Sequence, residues 1–249
     1  MRTMDTSASL CLASKLRSLG ADAGDLDMVL HAVKGRARVA AGTDVVRAGD
    51  IVEHLTLLIG GMACSYKWSE DGGRSIRVFH HAGDFCDLYQ YVLPECDSAI
   101  GVQALTDAVV AVINHRDMDQ LLRRPKLALA FWRATMLEAA IYRKRLTTAS
   151  RRSALERVSH LLCEQLARSE AAGIRCARLP ISQIDVADAT GISVVHVNRT
   201  IQTLRSLKAL SEESHLEVID RKLLAQVAKF DGRYLDMPRH LSGWAVRVE

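Results

Sequence analysis

The segment that most narrows what this chain can fold into runs over residues 179–205. Ser182 is placed to cap a short helix carrying Ile184 and Val186, small Ala187 permits a second helix to approach closely, and Gly191 supplies a tight turn. Ser193 then caps a second helix. Its inward side is Val197, Ile201 and Leu204, which leaves Val194, Val195, His196, Asn198, Arg199 and Gln202 for the outer faces. This is the pattern of a helix-turn-helix whose second helix reads the major groove. A generic helical hairpin is the alternative. Two features oppose it: the outer face carries short polar side chains and arginine, and residues 193–210 contain Arg199, Arg205 and Lys208 with no acid.

That local charge matters because the total is uninformative. The 249 residues hold 33 Lys+Arg against 29 Asp+Glu, a net +4 with neutral histidines, so a polyanion partner must be argued from where the charges sit. After the second helix, residues 207–210, the polar turn of residues 211–214 and residues 215–220 predict a β-hairpin wing.

Upstream, residues 35–113 show short β-type runs separated by glycine turns at residues 48–50, 71–73 and 82–84. Strands are expected at residues 55–59, 62–68 and 75–79, with 102–113 as the longest, which reads as a β-sandwich or jelly roll. After Pro125 the period becomes helical. Leu129, Trp132, Met136, Ala139, Arg143 and Leu146 form one heptad-like stripe, and Leu127, Ala134, Leu137, Ile141 and Thr148 a second beside it. One face suits the β-domain and the other a second copy of the chain, giving a dimer interface at Leu129, Trp132, Met136 and Ala139; a helix buried twice within one monomer is the alternative. A capping box at Ser153 and Glu156 starts the next helix, so the long one ends near Ser150. Arg143, Lys144, Arg145, Arg151 and Arg152 crowd this junction as a solvated hinge or a phosphate-attracting patch.

No stretch has the ~18 apolar residues of a membrane span, and the N-terminus lacks the apolar block of a secretory signal. A cytoplasmic protein without membrane contact is expected. The six cysteines, at 11, 64, 86, 96, 163 and 176, form no C-x-x-C pair, so no metal site is indicated and reduced, mostly buried thiols are expected. A metal-dependent cupin-like enzyme is an alternative, but it wants H-x-H on one strand face, whereas His80 and His81 are adjacent and point to opposite faces. A ligand-binding or adaptor module with a protein-contacting winged helix, its wing carrying Glu212 and Glu213, is another.

The order of β-roll, long helix, residues 187–199 and wing resembles the Crp/Fnr family of bacterial transcription regulators. Residues 47–50, 58–62, 71–79 and 82–85 carry the N-terminal part of the resemblance, which spans residues 21–236. It implies an α+β fold: an N-terminal jelly-roll β-domain of the cyclic-nucleotide-binding kind (1–117), a long dimerisation helix (118–150) and a C-terminal winged helix-turn-helix (151–249). It implies a homodimer whose β-roll senses a signal, whose winged helices read palindromic double-stranded DNA, and whose further partner is RNA polymerase. It implies no catalysis.

Departures from the family pattern fall in the effector pocket. Where cyclic-nucleotide-binding members carry Gly-Glu and then Arg-Ser or Arg-Thr, this chain has Cys86-Asp87 and Asp97-Ser98. Asp87 and Ser98 can still hydrogen-bond a ligand, but Asp97 puts a negative charge where a phosphate needs a positive one, so cyclic AMP is not expected as effector. Cys11 stands alone in the first 60 residues where oxygen-sensing members have a cluster, so no iron–sulfur cluster is indicated. A redox pair of Cys86 and Cys96 is a further alternative. Nothing singles out His31, His54, His80, His81 or His115 as a haem ligand.

In the second helix, Arg199 matches the family's base-reading arginine, suited to guanine O6 and N7. Val195 stands where the family often has glutamate and offers an apolar contact to a thymine methyl. Asn198 is expected on adenine or a phosphate, His196 on phosphate, and the N–H groups near Ser182 and Ser193 on phosphates through the helix-terminus dipole. Residues 230–235 resemble a packed tail without chemistry.

Overall fold

The computed structural model describes residues 6–51, 53–93, 100–174 and 176–236. Two helices that the strand pattern conceals open the chain: α1 (Thr6–Ser18) and α2 (Ala23–Ala32), the latter started by a capping box between Asp22 and Asp25. Leu12, Leu16 and Leu19, spaced by four and three, are the signal for α1, and all three are buried.

Strands β1 (Lys34–Val39), β2 (Asp44–Val46), β3 (His54–Gly60), β4 (Met62–Trp68) and β5 (Arg74–His81) follow, then the short helix α3 (Leu88–Val92), β6 (Gly101–Ala104) and β7 (Ala108–Asn114). They form two antiparallel sheets, ordered β1-β7-β3 and β2-β6-β4-β5, which is the expected double-sheet β-domain. Leu58, Ala63, Val102, Ala104, Ala108 and Val110 fill the space between the sheets. The long strand expected over residues 102–113 is two strands in different sheets. At the corner the Leu105 N–H donates to the Met62 carbonyl and Thr106 Oγ1 accepts from the Met62 N–H at 3.0 Å, which carries the chain from one sheet to the other. Gly61 makes that corner possible: its φ is +84°, and a Cβ there would lie 2.5 Å from the Asp107 carbonyl oxygen.

Helix α4 (His115–Leu122), capped by Asn114, leads to the 27-residue α5 (Pro125–Arg151), with proline in its first turn as expected. The two apolar stripes of α5 separate cleanly. Leu127, Ile141 and Thr148 are buried against the chain's own body, while Leu129, Trp132, Met136 and Leu146 are exposed and Ala139 is half-buried. The helix is therefore not buried twice within the monomer.

The expected capping box at Ser153 starts α6 (Ala154–Ala171), which is buried without interruption from Val158 to Ser169. It lies between the β4–β5 face, where Met62, Tyr66, Ile76 and Phe79 pack, and the C-terminal elements: β8 (Arg178–Leu179), α7 (Gln183–Thr190), α8 (Val194–Ser206), β9 (Leu216–Glu217), α9 (Arg221–Ala228) and a 3-10 turn (Gly232–Leu235). The tail packs: Phe230 and Leu235 are buried, and the Tyr234 hydroxyl donates to Glu164 Oε2 at 2.7 Å. The wing differs from expectation. Residues 207–210 form no strand beyond a single bridge from Leu210 to Val218, and β9 pairs with β8 instead. Lys208, at φ +62°, turns the chain before a strand can form.

The basic junction is neither a solvated hinge nor wholly open to phosphate. Arg145 donates to the Arg77 carbonyl and pairs with Glu164 at 3.1 Å, Arg152 donates to the Ala228 and Lys229 carbonyls, and the Lys144 ammonium sits 5.5 Å from the Tyr234 ring centre. Arg143 and Arg151 alone of the five stay exposed.

Candidate functional site

Two regions hold the described residues singled out from the sequence for DNA and for an effector. The first is the surface formed by the start of α7 and the outer face of α8. Ser182 caps α7 in a capping box: its Oγ accepts from the Asp185 N–H at 3.1 Å, and Asp185 Oδ2 accepts from the Ser182 N–H at 2.8 Å. Gly191 ends α7 in the left-handed region at φ +65°, and Ser193 caps α8 by accepting from the His196 N–H. Val197, Ile201 and Leu204 are fully buried, and so is Val186. Ile184 is not on that inner side; it is exposed, one position off the buried face of α7.

All eight residues expected to face DNA are exposed: Ser182, Ser193, Val194, Val195, His196, Asn198, Arg199 and Gln202. Val195, 63% exposed, leads the apolar part of the surface, and Arg199 stands one turn further along α8. Arg205 does not join them. It is 9% exposed, and its guanidinium donates to the Ser211 carbonyl at 3.1 Å and to that of Glu213, pinning the wing. Of the three cations counted in residues 193–210, Arg199 and Lys208 are left to the surface.

The second region is a cavity of about 230 Å3 between the β-roll and α5, walled by Ser65, Arg77, Asp87, Gln90, Glu138 and Tyr142 among others. Asp87 is 2% exposed; its Oδ1 accepts from the Thr56 N–H at 2.7 Å, and Oδ2 has no partner among the described residues. Burial pushes the carboxyl groups of Asp87 and of Glu138 up to about 7, and it pushes the Cys86 thiol well above its ordinary range. Asp97, Ser98 and Cys96, expected near this pocket, lie outside the described residues. His80 and His81 do turn to opposite sides: His80 meets Ser65 Oγ at 2.7 Å, whereas His81 meets Gln165 and Ser169 on α6.

Residues 36–125 match the cyclic nucleotide-binding domain, and residues 156–227 match the Crp-like helix-turn-helix domain. The nitrogen fixation regulation protein FixK of Rhizobium meliloti is 26% identical over 185 residues, covering 74% of this chain and 82% of that protein. The fumarate and nitrate reduction regulatory protein of Vibrio cholerae is 24% identical over 208 residues, 82% of each chain. In fold, FixK2 of Bradyrhizobium japonicum is similar with a TM-score of 0.66 at 21% identity, covering 78% of this chain and 96% of that one. The c-di-GMP responsive regulator CLP of Xanthomonas campestris is similar with a TM-score of 0.64 at 16% identity, covering 80% and 100%.

The chain belongs to the Crp/Fnr family. It is a DNA-binding transcription regulator. Among its described residues no helix is long and apolar enough to cross a membrane, and no group of three or more His, Cys, Asp or Glu converges as for a metal ion.

Several residues of this Crp/Fnr regulator that shape the two regions escape a reading of the sequence. Gln183 Oε1 accepts from Asn198 Nδ2 at 3.1 Å, so the first helix restrains a side chain of the second. Arg74, on β5, donates to Asp188 at 2.7 Å, to Asp185 at 2.6 Å and to Gln103 at 2.7 Å, fastening α7 to the β-roll. Those partners lie up to 114 residues away, which no local pattern encodes. Glu138 did leave a signal: it falls at i+4 from Ala134 and i−3 from Ile141, an acid set into the inward stripe.

Proposed function

We propose that this Crp/Fnr regulator reads a palindromic double-stranded DNA site as a homodimer, through Ser182, Ser193, Val194, Val195, His196, Asn198, Arg199 and Gln202 of each copy. The observation that carries the reading is the exposure of all eight at the start of α7 and on α8, with the nearby Asp185 carboxylate turned inward to cap α7 and hold Arg74. Arg199 reads guanine, Asn198 reads adenine or holds a phosphate, Val195 meets a thymine methyl, and the helix N-termini at Ser182 and Ser193 hold phosphates.

The second copy docks on Leu129, Trp132, Met136 and Ala139 of α5. A row of large apolar side chains left open on a 27-residue helix supports this. Half-sites then lie about one helical turn, ~34 Å, apart. Residues 1–117 are the sensory β-roll, 118–150 the dimerisation helix and 151–249 the DNA-binding domain, with α4 crossing the first boundary. The protein works in the cytoplasm, has RNA polymerase as a further partner and catalyses no reaction.

The effector pocket is the cavity containing Asp87, and its effector is not cyclic AMP; Asp97 and Ser98, the other two residues expected to serve it, lie outside the described residues. The two carboxyl groups of Asp87 and Glu138 on its wall oppose a cyclic phosphate.

Selection of bound DNA from a random pool, with and without reductant, tests the function. A two-fold symmetric consensus with half-sites one turn apart is expected. A recovered pool without a consensus overturns sequence-specific reading, and an asymmetric site overturns the homodimer.

A further inference from the structure

The sensory reading of the β-roll leaves the chemistry of its effector open, and the wall of the cavity narrows it. We propose that the cavity between the β-roll and α5 is a site for a small organic cation with several N–H donors, an amine, amidine or guanidine, and not for an anion. This proposal rests on the reading of the β-roll as a sensor.

Three observations converge. The first is Asp87 Oδ2, buried and without a partner among the described residues. A buried acceptor left unsatisfied is costly, and an N–H donor entering the cavity removes that cost. The second is Glu138, which reaches the same cavity from α5, so two carboxyl groups from distant parts of the chain share one small space. A cation there offsets the negative charge the two acids carry, whereas an anion would add to it, with Arg77 on the wall and Arg168 acting on Glu138 as the opposing cations. The third is size. At about 230 Å3 the cavity falls below the roughly 300–1,000 Å3 that holds drug-sized ligands, so its occupant is smaller.

The protonation of the wall agrees with this. Burial holds both carboxyl groups near pH 7, so at that pH each is about half protonated and the pair carries about one negative charge. Tyr142, whose hydroxyl lies beside Glu138, is pushed up by burial and stays neutral; Cys86 stays a thiol. A cation favours the ionised form of both acids and expels the remaining protons to solvent. The site also spans the sensory and dimerisation elements, since Asp87 stands at the start of α3 and Glu138 on α5.

Titration calorimetry of the full-length protein with agmatine tests this, at pH 7 in two buffers of different ionisation enthalpy, with acetate and cyclic AMP as comparison arms. Agmatine is expected to bind with release of about one proton per molecule, half from each acid. Asp87→Asn, which keeps an oxygen for the Thr56 N–H, and Glu138→Gln are each expected to weaken agmatine at least tenfold and to halve the proton release. Should Asp87→Asn fail to fold, Glu138→Gln carries the test. Absence of agmatine binding, binding unchanged in both variants, or binding of cyclic AMP displaced by no cation overturns the proposal. Agmatine binding with proton release but no change in DNA affinity would leave the site standing and strike the sensory reading alone.

Discussion

On α8, Arg199, Asn198 and Gln202 stand in solvent while Val197, Ile201 and Leu204 hold the helix in place. Between the β-roll and α5, Asp87 and Glu138 line one small cavity, and Asp87 leaves one carboxyl oxygen without a partner among the described residues. The two regions use polar side chains in opposite ways. The groups on α8 keep their hydration and give up little stability while they wait for a partner. Those in the cavity are kept from water, and their cost to the fold changes with protonation. A surface of the first kind can be altered for binding without harm to the fold; a cavity of the second kind couples its occupant to the fold itself.

The largest test of that contrast is Asp87→Asn. The carboxyl of Asp87 is raised from 3.8 to about 7 in the folded chain. A carboxyl raised on folding contributes its full stability below the unfolded value, and that contribution is lost as the pH rises through the folded value. Across this window the wild type should lose up to about 4 kcal/mol that the asparagine variant keeps, at about 1.36 kcal/mol for each tenfold change in proton affinity. Urea unfolding of both proteins from pH 4 to pH 8 measures the difference. A difference that does not change with pH would remove the distinction between the two regions.

Next in size is Trp132→Glu on the outer stripe of α5. Trp132 is 66% exposed, so the fold should hold, while a dimer seam should lose about 2 kcal/mol or more on gaining a charge in place of its largest apolar side chain. Sedimentation equilibrium reads the shift toward monomer. An unchanged association state would make this stripe a solvent face and remove α5 from the interface.

How far each region is legible in the sequence follows from the range of its interactions. Ser182, Gly191, Ser193 and the inward Val197, Ile201 and Leu204 act through neighbours within a few residues, and the structure places all of them as the pattern requires. The two stripes of α5 are legible for the same reason. Arg205 is not, because a count of charge carries no direction: it lies four residues beyond Ile201 and shares its inward face. The cavity is different in kind. Its acids are joined by the packing of α5 on the β-roll, and the residue that fastens α7 to that roll, Arg74, binds carboxylates more than 100 residues away. Composition alone does not distinguish the corner at Leu105–Asp107 from a continuing strand, since apolar runs flank it on both sides.

Arg199→Ala separates binding from folding. Loss of a bidentate base contact should weaken specific DNA binding by ~1–3 kcal/mol and relax one base position, with no change in the unfolding midpoint. Competition gel shifts with site variants give the first measurement and urea unfolding the second. Arg205→Ala should do the reverse in stability, because it strips the Ser211 and Glu213 carbonyls of their donor. A variant at Arg199 that keeps its full base preference would end the role assigned to it.

The smallest effect belongs to Ser193, where the two uses of a polar group meet in one side chain. Its Oγ accepts from the His196 N–H and so caps α8, and its own exposed end faces the proposed phosphate position. Ser193→Ala should cost about 1 kcal/mol of stability through the lost cap and should weaken DNA binding slightly. Ser193→Asp keeps the cap and adds a favourable charge at the helix N-terminus, so stability should stay or rise. The same charge opposes a phosphate, so DNA binding should fall more than in the alanine variant. Unfolding and gel-shift measurements on the pair therefore move in opposite directions if the N-terminus of α8 meets the backbone of DNA. If both variants bind DNA as the wild type does, Ser193 is a cap alone, and the phosphate contact must come from elsewhere on α7 and α8.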